Sequence, residues 1–265
     1  MALLDVHDLC VGFRMYRSFY RRSLGFAVDH LSLSAEPGQI LGIVGASGSG
    51  KSLLAHAIMG LLPHNTVVQG EISYDGQPIT KQRLPELRRT ELALIPQSIS
   101  YLDPLKRVRS QLIEGRTPDA EELEQIAERF GFQPGDLAKY PFQLSGGMAR
   151  RILLATAMLS SARLIIADEP TPGLPVDLAR QMLADFRSLA DEGRSVIIIS
   201  HDVDLIAAVA DRVAILNRGR LVGEMSSHEF THPDESDTDP YAKALWKALP
   251  QNDFITSVSG KADSC

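Results

Sequence analysis

The sequence predicts an α/β fold in which a parallel sheet is covered on both faces. Three observations support this. Short, continuous apolar runs at residues 40–44, 164–167 and 195–200 read as buried strands, as in parallel sheets. Stretches with helical patterning fall between them, at 145–160 and 176–192, so the order is helix, strand, helix, strand. A glycine-rich turn, GASGSGKS at 45–52, stands directly after the first buried run and before an apolar helix. With 265 residues, 44% of them apolar, the chain can bury a large core.

The elements follow in chain order. Residues 3–13 alternate loosely and read as an edge strand, and the basic, aromatic stretch 14–26 reads as a hairpin or a loop. Residues 27–44 read as two strands around the turn Glu36-Pro37-Gly38. A helix covers 52–63 and is stopped by Pro63. A hairpin covers 67–79 with Asp75-Gly76 at its turn, and 84–97 is a polar stretch entering a short strand. Residues 105–139 are helical in pattern, with an acidic run at 119–124 that reads as a solvated face. After the alternating segment, 202–210 is a helix and 211–225 a hairpin turning at Arg218-Gly219. A polar linker at 226–240 precedes a short amphipathic helix at 241–249 and a mobile tail.

Composition excludes several classes. Lys and Arg number 27 against 33 Asp and Glu, a net charge of −6 that argues against a general nucleic-acid binder. The two cysteines, Cys10 and Cys265, make neither a disulfide framework nor an iron–sulfur ligand set, and a reducing compartment fits them. The first ten residues carry Asp5 and Asp8 and do not read as a signal peptide. No run approaches the ~18 apolar residues that a membrane span needs.

Three motifs carry chemistry. In the first, Gly45, Ala46, Ser47, Gly48, Ser49, Gly50, Lys51 and Ser52 match G-x-x-x-x-G-K-[ST] in full. Its glycines let backbone N–H groups wrap an anion, and the following helix adds positive potential. Lys51 reaches the β- and γ-phosphates, and Ser52 offers its hydroxyl to Mg²⁺. The second, LIIADE, is a buried strand that delivers Asp168 and Glu169 at its C-terminal end, where α/β sheets keep their ligands. Asp168 is placed to hold Mg²⁺ and Glu169 to polarise an attacking water. The third is Leu144, Ser145, Gly146, Gly147 and Met148. Ser145 can cap the next helix, and the glycine pair leaves its N-terminal amides open to an anion. Alone, it would read as a plain helix cap with a loose turn.

In this order, phosphate loop, Leu-Ser-Gly-Gly and Asp-Glu-Pro, the three motifs resemble the nucleotide-binding subunit of ATP-binding cassette (ABC) transporters, over about residues 3–250. The resemblance implies a P-loop NTPase (RecA-like) core with an antiparallel β subdomain at 1–96 and 160–230. It places an inserted α-helical subdomain at 97–159 and a C-terminal linker with a short helix at 231–265. ATP and Mg²⁺ are the implied cofactors, with Ser52, Gln97 and Asp168 at the metal. Glu169 is the implied base, His201 the switch residue at the γ-phosphate, and Gln97 a sensor of metal and water. Phe13 resembles the aromatic that stacks on adenine, with Tyr16 and Tyr20 close by as alternatives. Two such subunits pack head to tail in the family, so residues 144–148 of one cap the ATP held by the other. The further partners implied are two transmembrane permease subunits and an extracytoplasmic substrate-binding protein. No nucleic acid is expected, and the implied location is the cytoplasmic face of the membrane, peripherally.

The segment PQSISYLDPLKRVRSQLIE at 96–114, Met148 and the tail DPYAKALWKALPQNDF are similar to the oligopeptide, dipeptide and nickel importer group. The docking groove for a membrane subunit is expected near residues 97–109, and the tail inclines toward the metal-transporting branch. Cys265 alone cannot hold the iron–sulfur centre that some of this group bind at their C-terminus, so none is expected. An exporter ATPase or a soluble ABC-type ATPase remains the alternative. One departure stands out. Pro172, Gly173, Leu174 and Pro175 occupy the interface loop, with Pro175 where relatives carry aspartate and Asp177 two residues on. Proline deletes an N–H and cannot make the aspartate's bonds, so weakened hydrolysis is expected at the site that depends on this loop.

Overall fold

The structure, a computed structural model, describes residues 1–18, 21–113, 119–133, 135–232, 240, 243 and 244. β1 (Leu4–Ser18) and β2 (Arg21–Ala35) are followed by β3 (Ile40–Gly45), α1 (Lys51–Ile58), β4 (Thr66–Tyr74), β5 (Gln77–Pro78), α2 (Leu84–Thr90) and β6 (Leu92–Ile95). Then come α3 (Val108–Leu112), α4 (Ala120–Arg129), α5 (Gly146–Leu159), β7 (Leu164–Asp168), α6 (Val176–Asp191), β8 (Ser195–Ile199), α7 (Val203–Val209), β9 (Arg212–Asn217), β10 (Arg220–Ser226) and α8 (Ser227–Thr231).

Two sheets form. The larger runs β10-β9-β3-β8-β7-β6, parallel throughout except for β10, and the smaller is antiparallel, β2-β1-β4-β5. β3, β7 and β8 are buried along their whole length, and their side chains alternate between two cores. Ile165, Ala167, Val196, Ile198, Val213 and Ile215 pack with α5, α6 and α7. Their neighbours Ile166, Ile197, Ile199, Ala214 and Leu216 pack with α1 and the antiparallel sheet. The period-2 pleat thus divides each apolar run between the two layers, which is why these strands show no polar face.

The structure corrects three readings. β1 lies between β2 and β4, so it is central to its sheet and not an edge. Of the two readings of 14–26, hairpin or loop, the hairpin stands: residues 14–18 and 21–26 pair in the β1–β2 ladder. α1 ends at Ile58, short of Pro63, because Gly60 turns left-handed at φ 61°. Its cap is complete: Gly60 N–H donates to Ala57 O and Leu61 N–H to His56 O, a Schellman motif. Within the expected linker, Ser226 and Glu229 form a reciprocal capping box that starts α8. Lys243 and Ala244 are helical, and the rest of 241–249, like Cys265, lies outside the described residues. Both predicted hairpin turns stand, with Asp75-Gly76 and Arg218-Gly219 all at positive φ. In the acidic run, Glu121 and Glu124 are exposed while Leu123 and Ile126 are buried.

Candidate active site

The loop after β3 carries Gly45 through Ser52, and the ends of β7 and β8 bring the other chemistry beside it. Lys51, at the start of α1, is buried, and its Nζ donates to Gly45 O at 2.8 Å and Ala46 O at 3.1 Å. Burial pushes the Lys51 ammonium below its ordinary value, with Glu169 and Asp168 pulling the other way. Ser52 Oγ donates to Asp168 Oδ1 at 3.0 Å, so two of the three expected metal ligands already meet. Burial raises the Asp168 carboxyl, and the Ser52 bond opposes that rise.

Glu169 follows β7 in a left-handed conformation, φ 50°, with a buried side chain. His201 Nδ1 lies 2.8 Å from Glu169 Oε2, at the end of β8, and the imidazole is otherwise exposed. The Glu169 backbone is tied at both ends. Its N–H donates to Ile199 O at 2.9 Å, and its carbonyl accepts from Arg150 at 2.7 Å. Gln97 is exposed just beyond β6, with its carbonyl also held by Arg150.

Residues 144–148 open α5. Ser145 is the N-cap and accepts from Met148 N–H at 3.3 Å, and a side chain at Gly146 would meet open space. Among the described residues, no hydrogen bond joins 144–148 to the phosphate loop. The interface loop lies against this helix start: a Cβ at Gly147 would sit 3.9 Å from Gly173 O. Pro172 and Gly173 occupy the corners of a turn closed by Leu174 N–H to Thr171 O at 3.0 Å. Gly173 at φ 81° marks it as type II. Pro175 is the N-cap of α6 with no side-chain bond, and Asp177 is exposed in the first turn, complementing the helix dipole.

Phe13 is half-buried in β1, opposite Gly25 and Thr66. Its neighbour in the ladder, Phe26, belongs to the Gly12 pair and so points to the opposite face of the sheet, 44% exposed. Tyr20 and the Tyr16 side chain lie outside the described residues. Two features escaped the sequence reading. One is Arg150, whose position in the helix gave no hint of its reach. The other is the seat of the loop. The register shift in the β1–β2 ladder leaves Ala27 unpaired, and its carbonyl is the nearest atom to a Cβ built on Gly50 or Gly219.

A protein-family model described as ABC transporter matches residues 28–172. The probable peptide ABC transporter ATP-binding protein y4tR of Sinorhizobium fredii is 35% identical over 266 residues, 94% of this chain and 77% of that protein. The dipeptide transport ATP-binding protein DppD of Escherichia coli is 34% identical, covering 95% and 79%. The oligopeptide transport ATP-binding protein OppD of Haemophilus influenzae is 32% identical, covering 95% and 80%. Among solved structures, the fold is similar to that of the ATP-binding cassette MJ0796, in a dimeric post-hydrolysis state bound to ADP and Pi. The TM-score is 0.73 at 22% identity, over 84% of this chain and 98% of that one.

Proposed function

The chain belongs to the ABC transporter family, and on that premise we propose that it is the ATP-hydrolysing subunit of a peptide importer. One observation carries the reading: Lys51, the Ser52–Asp168 pair and the Glu169–His201 pair converge at the C-terminal ends of β3, β7 and β8. The three relatives named above have peptide, dipeptide or oligopeptide in their names, which favours peptides over nickel as cargo.

The residues fit ATP and Mg²⁺. Ser49 Oγ is buried in the phosphate loop with no partner among the described residues, as expected of a group that a phosphate completes. The Lys51 ammonium is buried against carbonyls it can leave for phosphate oxygens. Ser52 and Asp168 offer adjacent hard oxygens to the metal, with Gln97 the further ligand in this reading. Mg²⁺ held there would supply neutralisation of the charge on the phosphate chain. Glu169 takes a proton from the attacking water at its carboxylate as ADP leaves. His201, held through Nδ1, would offer its other nitrogen to the phosphoryl group.

In this reading the core comprises 1–96 and 160–230, the helical subdomain 97–159, and the C-terminal segment 231–265. Residues 144–148 act on a second ATP-binding subunit packed head to tail; the cassette MJ0796, whose fold is similar, is itself solved as a dimer. Phe13 stacks on adenine. A cavity of about 910 Å³ in the helical layer, lined by Arg107, Arg109, Leu123, Phe132 and Leu137, is the seat for a permease subunit. No helix among the described residues is long and apolar enough to cross a membrane. In this reading the chain works peripherally at the cytoplasmic face, with permeases and an external binding protein handling the peptide.

The test is the Glu169→Gln variant in the membrane complex, purified through a tag on this chain. Loss of a general base lowers kcat about 10²- to 10⁴-fold while ATP still binds. An unchanged ATPase rate sinks the assignment of Glu169.

A further inference from the structure

Arg150 lies in the first half of α5, and its guanidinium donates to three backbone carbonyls from two separate loops, the one after β6 and the one between β7 and α6. Nη1 reaches Glu169 O at 2.7 Å and Pro172 O at 3.0 Å, while Nη2 reaches Gln97 O. These loops carry the residue beside the metal, the base, and the segment that faces the second subunit. We propose that Arg150 is a positioning residue that fixes the catalytic base and sets its geometry against Gln97 and the interface loop. The inference rests on the ATPase reading above.

The physical need is specific. Glu169 is not glycine, yet it sits at φ 50°, a conformation that persists only where its surroundings over-determine it. The N–H end of that residue is held by Ile199 O on β8. The carbonyl end is held by Arg150. With both ends fixed, the carboxylate points at His201 and into the site. Without the second tie, the peptide after Glu169 is able to relax toward ordinary φ and swing the carboxylate off line. The same guanidinium stops the Pro172-Gly173 turn from drifting away from the base.

Only a planar fork with several donors reaches three carbonyls at once, and a lysine ammonium is a compact point charge. The neighbouring Arg151, about 100° round the helix, reaches a different segment, donating to Phe130 O at 3.1 Å and Gly131 O at 2.9 Å. α5 is therefore pinned to the helical layer by one arginine and to the catalytic loops by the other. Because Ser145 caps this same helix, the segment offered to the partner's ATP is joined rigidly to the chain's own base.

The experiment compares Arg150→Ala, Arg150→Lys and Glu169→Gln in the membrane complex. It measures kcat, KM for ATP, and the melting temperature of each. Misplacing a base without touching the phosphate cradle lowers kcat about 10- to 100-fold in Arg150→Ala, with KM within about twofold. Arg150→Lys, which retains the charge and part of the contacts, recovers part of kcat, and methylguanidinium added to Arg150→Ala does likewise. An unchanged kcat overturns the proposal. So does a loss that appears in KM, or one that tracks melting temperature with no recovery in the lysine variant. If Arg150→Ala does not fold, the kcat-to-KM split in Arg150→Lys decides. Glu169→Gln separates the two levels of inference. If it retains full activity, the functional reading fails. If it is inactive while Arg150→Ala is normal, only the role of Arg150 fails.

Discussion

Burial pushes the Asp168 carboxyl upward, and the hydrogen bond from Ser52 and the fields of His56 and Lys51 only offset part of it. The sign of the consequence follows from linkage. A carboxyl whose folded pKa exceeds its unfolded value costs stability as pH rises through that interval, and the cost persists at neutral pH. The nucleotide-free protein therefore carries a buried charge that a metal ion would neutralise. Asp168→Asn is expected to raise the melting temperature of the protein without ligand at pH 7. The same variant loses the extra rise that Mg²⁺ gives beyond ATP alone. Thermal melts with ATP, with and without Mg²⁺, measure both. A lower melting temperature for the ligand-free variant would refute the desolvation argument.

At the scale of elements, the loop between β7 and α6 shows how local chemistry sets a long-range expectation. Thr171 to Leu174 close a type II turn that suits Pro172 and Gly173, so the loop is locally relaxed despite its unusual sequence. Pro175 then sits at the N-cap of α6 with φ −55° and ψ 147°, a conformation aspartate also adopts. An aspartate there would cap the helix, worth about 1 kcal/mol, and would restore an acceptor to the interface. Pro175→Asp is therefore expected to stabilise the isolated chain and, separately, to raise the ATPase rate of the assembled complex. If the melting temperature rises and the rate stays the same, Pro175 affects only the helix cap.

Across the whole molecule, the two sheets lock together at the phosphate loop. Gly219 N–H donates to Ser49 O at 3.0 Å, Asp29 N–H donates to Gly219 O at 2.9 Å, and a Cβ on Gly219 would lie 2.6 Å from Ala27 O. Gly219→Ala adds that clash to a φ of 83°, a cost of about 1–3 kcal/mol. The expected result is a lower melting temperature together with weaker ATP binding, although residue 219 belongs to none of the motifs. Normal nucleotide affinity in a destabilised variant would contradict the interlock. The contrast with the motifs shows what each level of description holds. The phosphate loop, the strand-borne Asp168 and Glu169, and the Ser145 cap were legible in the sequence because each is a local pattern whose residue types and spacing follow from its chemistry. The parallel sheet was legible for the same reason, in apolar runs without a polar face. The central place of β1, the reach of Arg150 across two loops and the seating of Gly50 under Ala27 were not legible. They depend on which strands pair, and on side chains meeting backbone far away in sequence. Sequence by itself determined the local chemistry and the layered α/β plan. The tertiary structure alone decided how those groups are held in line, because a carbonyl offers no residue-type signal and its partner is set only by packing.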